Sequence, residues 1–124
     1  MPKFKEVAPA FAARDFAKLA TFYEKVLGFK SQYKTENYCV LKRDDISLHI
    51  YPQRDDKVGG HNSAYFFVTG VDELFKAVAK KAKIVHPISD QPYGLRDFLM
   101  QDPEGNNIGI AQRLDTLPKT KRKT

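Results

Sequence analysis

At 124 residues, with 42% apolar and 29% charged residues, the chain has ordinary globular composition and enough length to bury a core without metal or disulfide support. No apolar run is long enough to span a bilayer, and the N-terminal MPKFKEV lacks the apolar stretch of a signal peptide, so a cytoplasmic setting is expected. Cys39 is the single cysteine, which excludes an intrachain disulfide and a multi-cysteine metal site.

VAPAFAA, residues 7–13, reads as a first strand in which Pro9 implies an edge or a bulge. A helix follows from about Asp15 to Leu27: Asp15 is a good N-cap, Phe16, Leu19, Ala20, Tyr23, Val26 and Leu27 form an apolar stripe, and Gly28 supplies the stop. FKSQYKT, NYCVLKR and ISLHIYP are strand-like, and Asp44-Asp45 between the last two suits a tight hairpin. SAYFFV is again a strand, and residues 71–82 form an amphipathic helix with Val71, Leu74, Phe75, Val78 and Ala82 inward. KIVHPI, LRDFLMQ and NNIGIAQ complete the second set, the last two joined by the turn Asp102-Pro103-Glu104-Gly105.

The second set repeats the first. Ala8 and Ser63, Phe11 and Phe66, and Leu19 and Leu74 share an offset of 55 positions. The expected architecture is therefore α+β, two βαβββ modules over about residues 5–52 and 62–112 within a domain spanning 1–113. Residues 114–124 form a basic tail whose last six residues, KTKRKT, hold four positive charges; without them the net charge of +6 falls to about +2. Such a tail is expected to be disordered. A nucleic-acid or other interaction role through it stays open as an alternative, although it lacks interleaved aromatic residues.

Period-two alternation assigns faces. Ile46, Leu48 and Ile50 belong under the first helix, leaving Ser47, His49 and Tyr51 on the open face. Ala64, Phe66 and Val68 belong under the second helix, with Ser63, Tyr65 and Phe67 opposite. Ile108 and Ile110 likewise turn inward, so Asn107, Gly109 and Ala111 point away. Cys39 falls on the helix side and reads as core.

RDFAKLATFYEKVLGF, DDISLHIY, VDELFKAV and YGLRDFLMQDPEGNNIGI, taken in this order, resemble the vicinal-oxygen-chelate, or glyoxalase/bleomycin resistance protein/dioxygenase, superfamily over roughly residues 5–112. The resemblance implies paired modules whose strands form a curved mixed sheet around a cleft, commonly completed in a homodimer. Metal-dependent members place four ligands at positions that fall here on Ala8, His49, Ser63 and Gly109, three of which offer no usable ligand. One imidazole cannot hold a catalytic divalent ion. The resemblance is to the bleomycin-resistance-like branch, which uses the cleft without metal and carries a proline in the first strand, as Pro9 here. Tyr33, Tyr38 and Tyr93 match its groove positions.

The expected function is metal-independent small-molecule binding, by sequestration of a drug or metabolite, with no cofactor, no catalytic residue and no membrane partner. A metal-dependent lyase, isomerase or dioxygenase of the same superfamily is the alternative. The expected ligand-binding residues are Tyr38, His49, Tyr51, Tyr65, Phe67, Tyr93, Arg96 and Phe98. Aromatic rings could stack on a planar ligand, and Arg96 could clamp a carboxylate or phosphate, which favours a neutral or anionic ligand. Gly109 either empties the cleft floor, with His49, Ser63 and Phe98 around the space, or marks a bulge or a close backbone approach. His61 lies in a loop that could cover the cleft, and His86 reads as structural or exposed.

Overall fold

The computed structural model describes residues 1–53 and 62–122; residues 54–61, with the expected cleft-covering loop and His61, and residues 123–124 lie outside the described residues. The chain divides into two compact units, 1–60 and 61–124, and each runs strand, helix, three strands. The α+β class and the repeated βαβββ order are as the periodicity predicts.

In the first unit, β1 (Ala10–Ala13), α1 (Phe16–Lys25), β2 (Lys30–Lys34), β3 (Cys39–Arg43) and β4 (Ile46–Pro52) build a mixed sheet in the order β1-β4-β3-β2. β1 runs parallel to β4 and the other neighbours are antiparallel. β1 is shorter than expected because Pro9 has no N–H to give the ladder, although its carbonyl still accepts from His49 N at 2.9 Å. Asp15 caps α1 by accepting from Lys18 N at 3.1 Å. At the other end Gly28, at φ +71°, turns the chain so that Phe29 N reaches back to Tyr23 O at 3.0 Å. Leu19 and Tyr23 of α1 pack on Phe11, Leu41, Leu48 and Ile50, all buried. Cys39 is fully buried, and burial pushes its thiol above the ordinary range.

In the second unit, β5 (Ser63–Phe67), α2 (Val71–Val78), β6 (Lys83–Asp90), β7 (Leu95–Gln101) and β8 (Asn107–Arg113) follow the order β5-β8-β7-β6, with β5 parallel to β8. Gly70 precedes α2 and offers no capping side chain, so Gln112 Oε1 from β8 accepts from Val71 N at 3.0 Å. β6 is longer than expected; it is an edge strand, and its register shifts on either side of His86 accommodate Pro87. The turn from β7 to β8 closes around Asp102, whose Oδ1 accepts from Glu104 N at 2.9 Å and Asn106 N at 3.0 Å. Asp102, Glu104 and Asn106 are all buried there.

The tail departs from expectation. Residues 114–122 are ordered rather than disordered, forming short 3-10 turns at Leu114–Thr116 and Lys119–Lys121. Leu117 is only 3% exposed and anchors them, while Arg122 donates to the carbonyls of Leu117 at 2.9 Å and Asp115 at 2.7 Å. One leucine within a mostly polar segment outweighs the solvation of its neighbours once it has a pocket to fill. Among the described residues no helix is long and apolar enough to cross a membrane.

Candidate functional site

The open face of the second sheet concentrates the chemistry. Register places Tyr65 beside Gly109 and Leu99, and Phe67 beside Ala111 and Asp97, as successive rows across β5, β8 and β7. Tyr65, Phe67 and Tyr93 are 44%, 47% and 65% exposed, far more than rings of this size would be in a packed core. The Tyr65 and Phe67 rings meet edge to face at 5.4 Å, and the Arg113 guanidinium lies 4.7 Å over Phe67.

Asp97 stands at the centre of this group. Its Oδ2 accepts from the Tyr65 hydroxyl at 2.5 Å and faces the Tyr93 hydroxyl at 3.4 Å, and its Oδ1 accepts from Gln91 Nε2 at 2.9 Å. Burial, then the Asp97 carboxylate, push the Tyr65 phenol well above its ordinary range, so it stays a neutral donor. The short bond to Tyr65 is a charge-assisted contact, whereas the longer one to Tyr93 leaves room for a competing donor.

Gly109 owes its place to this arrangement. A Cβ built there would lie 2.3 Å from Tyr65 Cδ1 and 2.7 Å from Cε1. The tyrosine ring therefore lies directly over the glycine backbone, and that contact sets the reach of its hydroxyl to Asp97. The expected vacant floor is corrected to a filled one: of the two readings of Gly109, close approach is the right one.

Two expected ligand-binding residues are placed elsewhere. Phe98 is 1% exposed, pairs with Ile110 on the helix side and packs against Phe75 at 5.0 Å, so it is core. Arg96 is also turned under the helix, 7% exposed, with Nε 2.6 Å from Asp90 Oδ1 and Nη1 3.0 Å from Asp72 Oδ2. Its hydrogen bond to Asp90 holds the guanidinium above even its ordinary range. A guanidinium already saturated by two carboxylates cannot clamp an anionic ligand. His86 is exposed.

On the open face of the first sheet, Tyr38, His49 and Tyr51 are half-buried. The Tyr38 hydroxyl and His49 Nδ1 are 2.6 Å apart, with the rings edge to face at 5.4 Å. Tyr33 is exposed on β2. A polar cleft of about 380 Å³ in this unit is lined by Lys5, Glu6, Val7, Lys42, Asp45 and Ser47, none of them among the eight expected ligand-binding residues. The metal positions implied by resemblance do not fit an ion: Ala8 and Gly109 carry no donor side chain, Ser63 offers only a hydroxyl, and the Tyr65 ring fills the space at Gly109, which leaves His49 as the one strong ligand of the four. Among the described residues no three His, Cys, Asp or Glu side chains gather as a metal site.

Comparison with known proteins agrees with the fold. The model of the Glyoxalase/Bleomycin resistance protein/Dioxygenase superfamily matches residues 6–110, and the chain belongs to that superfamily. A bleomycin resistance protein of Geobacillus stearothermophilus is 27% identical over 126 residues, covering 86% of this chain and 95% of the relative. The bleomycin-binding protein of Streptomyces verticillus, solved with copper(II)-bleomycin, is 28% identical with a TM-score of 0.77 and covers 89% of this chain and 97% of its own. A lactoylglutathione lyase from Agrobacterium tumefaciens shares the fold at 19% identity and a TM-score of 0.75, covering 90% and 96%. One fold thus carries proteins named as binders and as enzymes, and function must be argued from the site.

Gly109→Ala should lower stability by about 1–3 kcal/mol, because the added methyl displaces the Tyr65 ring. The loss should shrink in a Tyr65→Ala background, a coupling measurable by urea denaturation of the four proteins. Equal losses in both backgrounds would contradict the close-approach account.

Proposed function

We propose that the protein binds and sequesters a planar, positively charged small molecule on the open face of the second sheet, without chemical conversion. The observation that carries this reading is the Asp97 carboxylate set among the exposed rings of Tyr65, Phe67 and Tyr93. A planar cation gains dispersion and cation–π attraction from the rings, and its N–H groups compete with the loosely held Tyr93 hydroxyl for Asp97. Arg113 already holds a planar cation against Phe67 within the chain, which supports the chemistry. In place of the neutral or anionic ligand expected from Arg96, we propose a cationic one, since that guanidinium is paired beneath the sheet. The relatives named for bleomycin resistance and bleomycin binding make bleomycin the first drug to test.

Fluorescence titration with proflavine, a planar cation, and anthraquinone-2-sulfonate, a planar anion, tests the charge preference, with copper(II)-bleomycin titrated in parallel. Proflavine should bind at least tenfold more tightly than the sulfonate, a difference of about 1.4 kcal/mol. Asp97→Asn should weaken proflavine about 10- to 100-fold, as expected for losing a charged acceptor. Tighter binding of the anion, or an Asp97→Asn protein that binds proflavine as the wild type does, would overturn the reading.

We also propose a homodimer. What supports it is that β1 and β5 end their sheets with one edge unpaired among the described residues, and that Phe4 and Val7 stand almost fully exposed. Light scattering at micromolar concentration should give twice the chain mass, and a monomer there would contradict it.

A further inference from the structure

The underside of the same strand suggests how the site is held. Arg96 and Asp97 are neighbours on β7 with side chains on opposite faces. While Asp97 faces the aromatic group, the Arg96 guanidinium spends its donors on three separate elements. Nε and Nη2 bind Asp90 at 2.6 and 3.3 Å, at the end of β6. Nη1 binds Asp72 of α2 at 3.0 Å. Nη2 also donates to the carbonyl of Lys121 at 2.8 Å, deep in the C-terminal segment. That segment is fastened further by buried Leu117, by Gln112 Nε2 on Thr116 Oγ1 at 3.2 Å, and by Lys121 Nζ on Glu73 Oε1 at 2.5 Å.

These bonds converge on the turn that borders the site. Asp90 leads directly into residues 91–94, where Gly94 N closes on Gln91 O at 3.2 Å and Gln91 N on Leu95 O at 2.7 Å. From the C-terminal side, Leu114 N donates to Gly94 O at 3.0 Å, holding the far end of the turn. The turn carries Gln91 and Tyr93, two of the three side chains that face Asp97. Arg96 grips the start of the turn and the C-terminal segment at once, and the segment grips the end of the turn.

We propose that residues 114–122 form a strap which, through the Arg96 guanidinium, fixes the turn at 91–94 against Asp97 and so sets the affinity for a ligand at Asp97 on the opposite face of β7. Arg96 is then a positioning residue. The buried guanidinium couples the strap to the turn, since removing the Lys121 carbonyl leaves a buried donor without its acceptor. This inference rests on the Asp97 site being where ligand binds.

The test compares wild type with a chain ending at Leu117, each with and without Tyr93→Phe, by proflavine titration at a temperature where circular dichroism shows all four folded. Truncation should weaken proflavine about 3- to 10-fold. Tyr93→Phe should tighten binding about 3-fold in the full chain, by removing the hydroxyl that competes for Asp97, and have no effect in the truncated one, because the turn no longer holds Tyr93 against the carboxylate. Loss of stability alone would not erase that coupling. Should the truncated chain fail to fold, Arg96→Lys carries the same comparison, keeping the charge but losing the forked reach to Lys121. A folded truncated or Arg96→Lys protein with wild-type affinity, or an equal Tyr93→Phe effect in both backgrounds, overturns the strap while Asp97→Asn still weakens binding. If Asp97→Asn binds as the wild type does, the site reading fails and the strap proposal falls with it.

Discussion

The Tyr65 ring lying over the Gly109 backbone governs what the second sheet can present to solvent. Any side chain at 109 would lift the ring, since its Cβ would stand 2.3 Å from Cδ1. With the ring down, the hydroxyl arrives 2.5 Å from Asp97, and the carboxylate is fixed by a neutral donor that burial and Asp97 keep protonated. The exposed rings then surround one negative charge instead of forming a featureless apolar patch. A carboxylate with aromatic neighbours discriminates by charge, which apolar area alone cannot do.

The two faces of β7 divide the labour. On the open face Asp97 is available to a ligand; on the covered face Arg96 ties a helix, a strand end and the C-terminal segment into one cluster. A buried guanidinium is an expensive group to desolvate, and it persists only where carboxylates and a carbonyl meet it at good geometry. Here they do, and the cluster sits under the turn that presents Gln91 and Tyr93. The basic C-terminal segment belongs to the folded second unit as far as residue 122.

Much of this was legible from alternation where the pattern was clean. In β4, Leu48 and Ile50 are buried and His49 is not; in β5, Phe66 is buried while Tyr65 and Phe67 are open, as period two requires. β7 defeated the same rule. Leu95 and Leu99 sit on one parity and Phe98 and Met100 on the other, so hydrophobicity does not choose, and a charged Arg96 invites an outward placement. The register of Phe98 against Ile110 decides it, and that register is a tertiary fact. Asp97 was missed by the same error of parity. The ordered strap was hidden for another reason: Leu117 stands in a short, mostly polar segment with no periodic apolar pattern, and only its pocket shows that it is buried.

The most direct measurement is an amide nuclear magnetic resonance titration of the ¹⁵N-labelled protein with proflavine. The account predicts saturable shifts concentrated at Tyr65, Gly109, Asp97 and the turn at 91–94, the Gly109 amide lying directly beneath the ring that the ligand contacts. Shifts confined to Lys5, Lys42, Asp45 and Ser47 around the cleft of the first unit, with the second sheet unmoved, would contradict it.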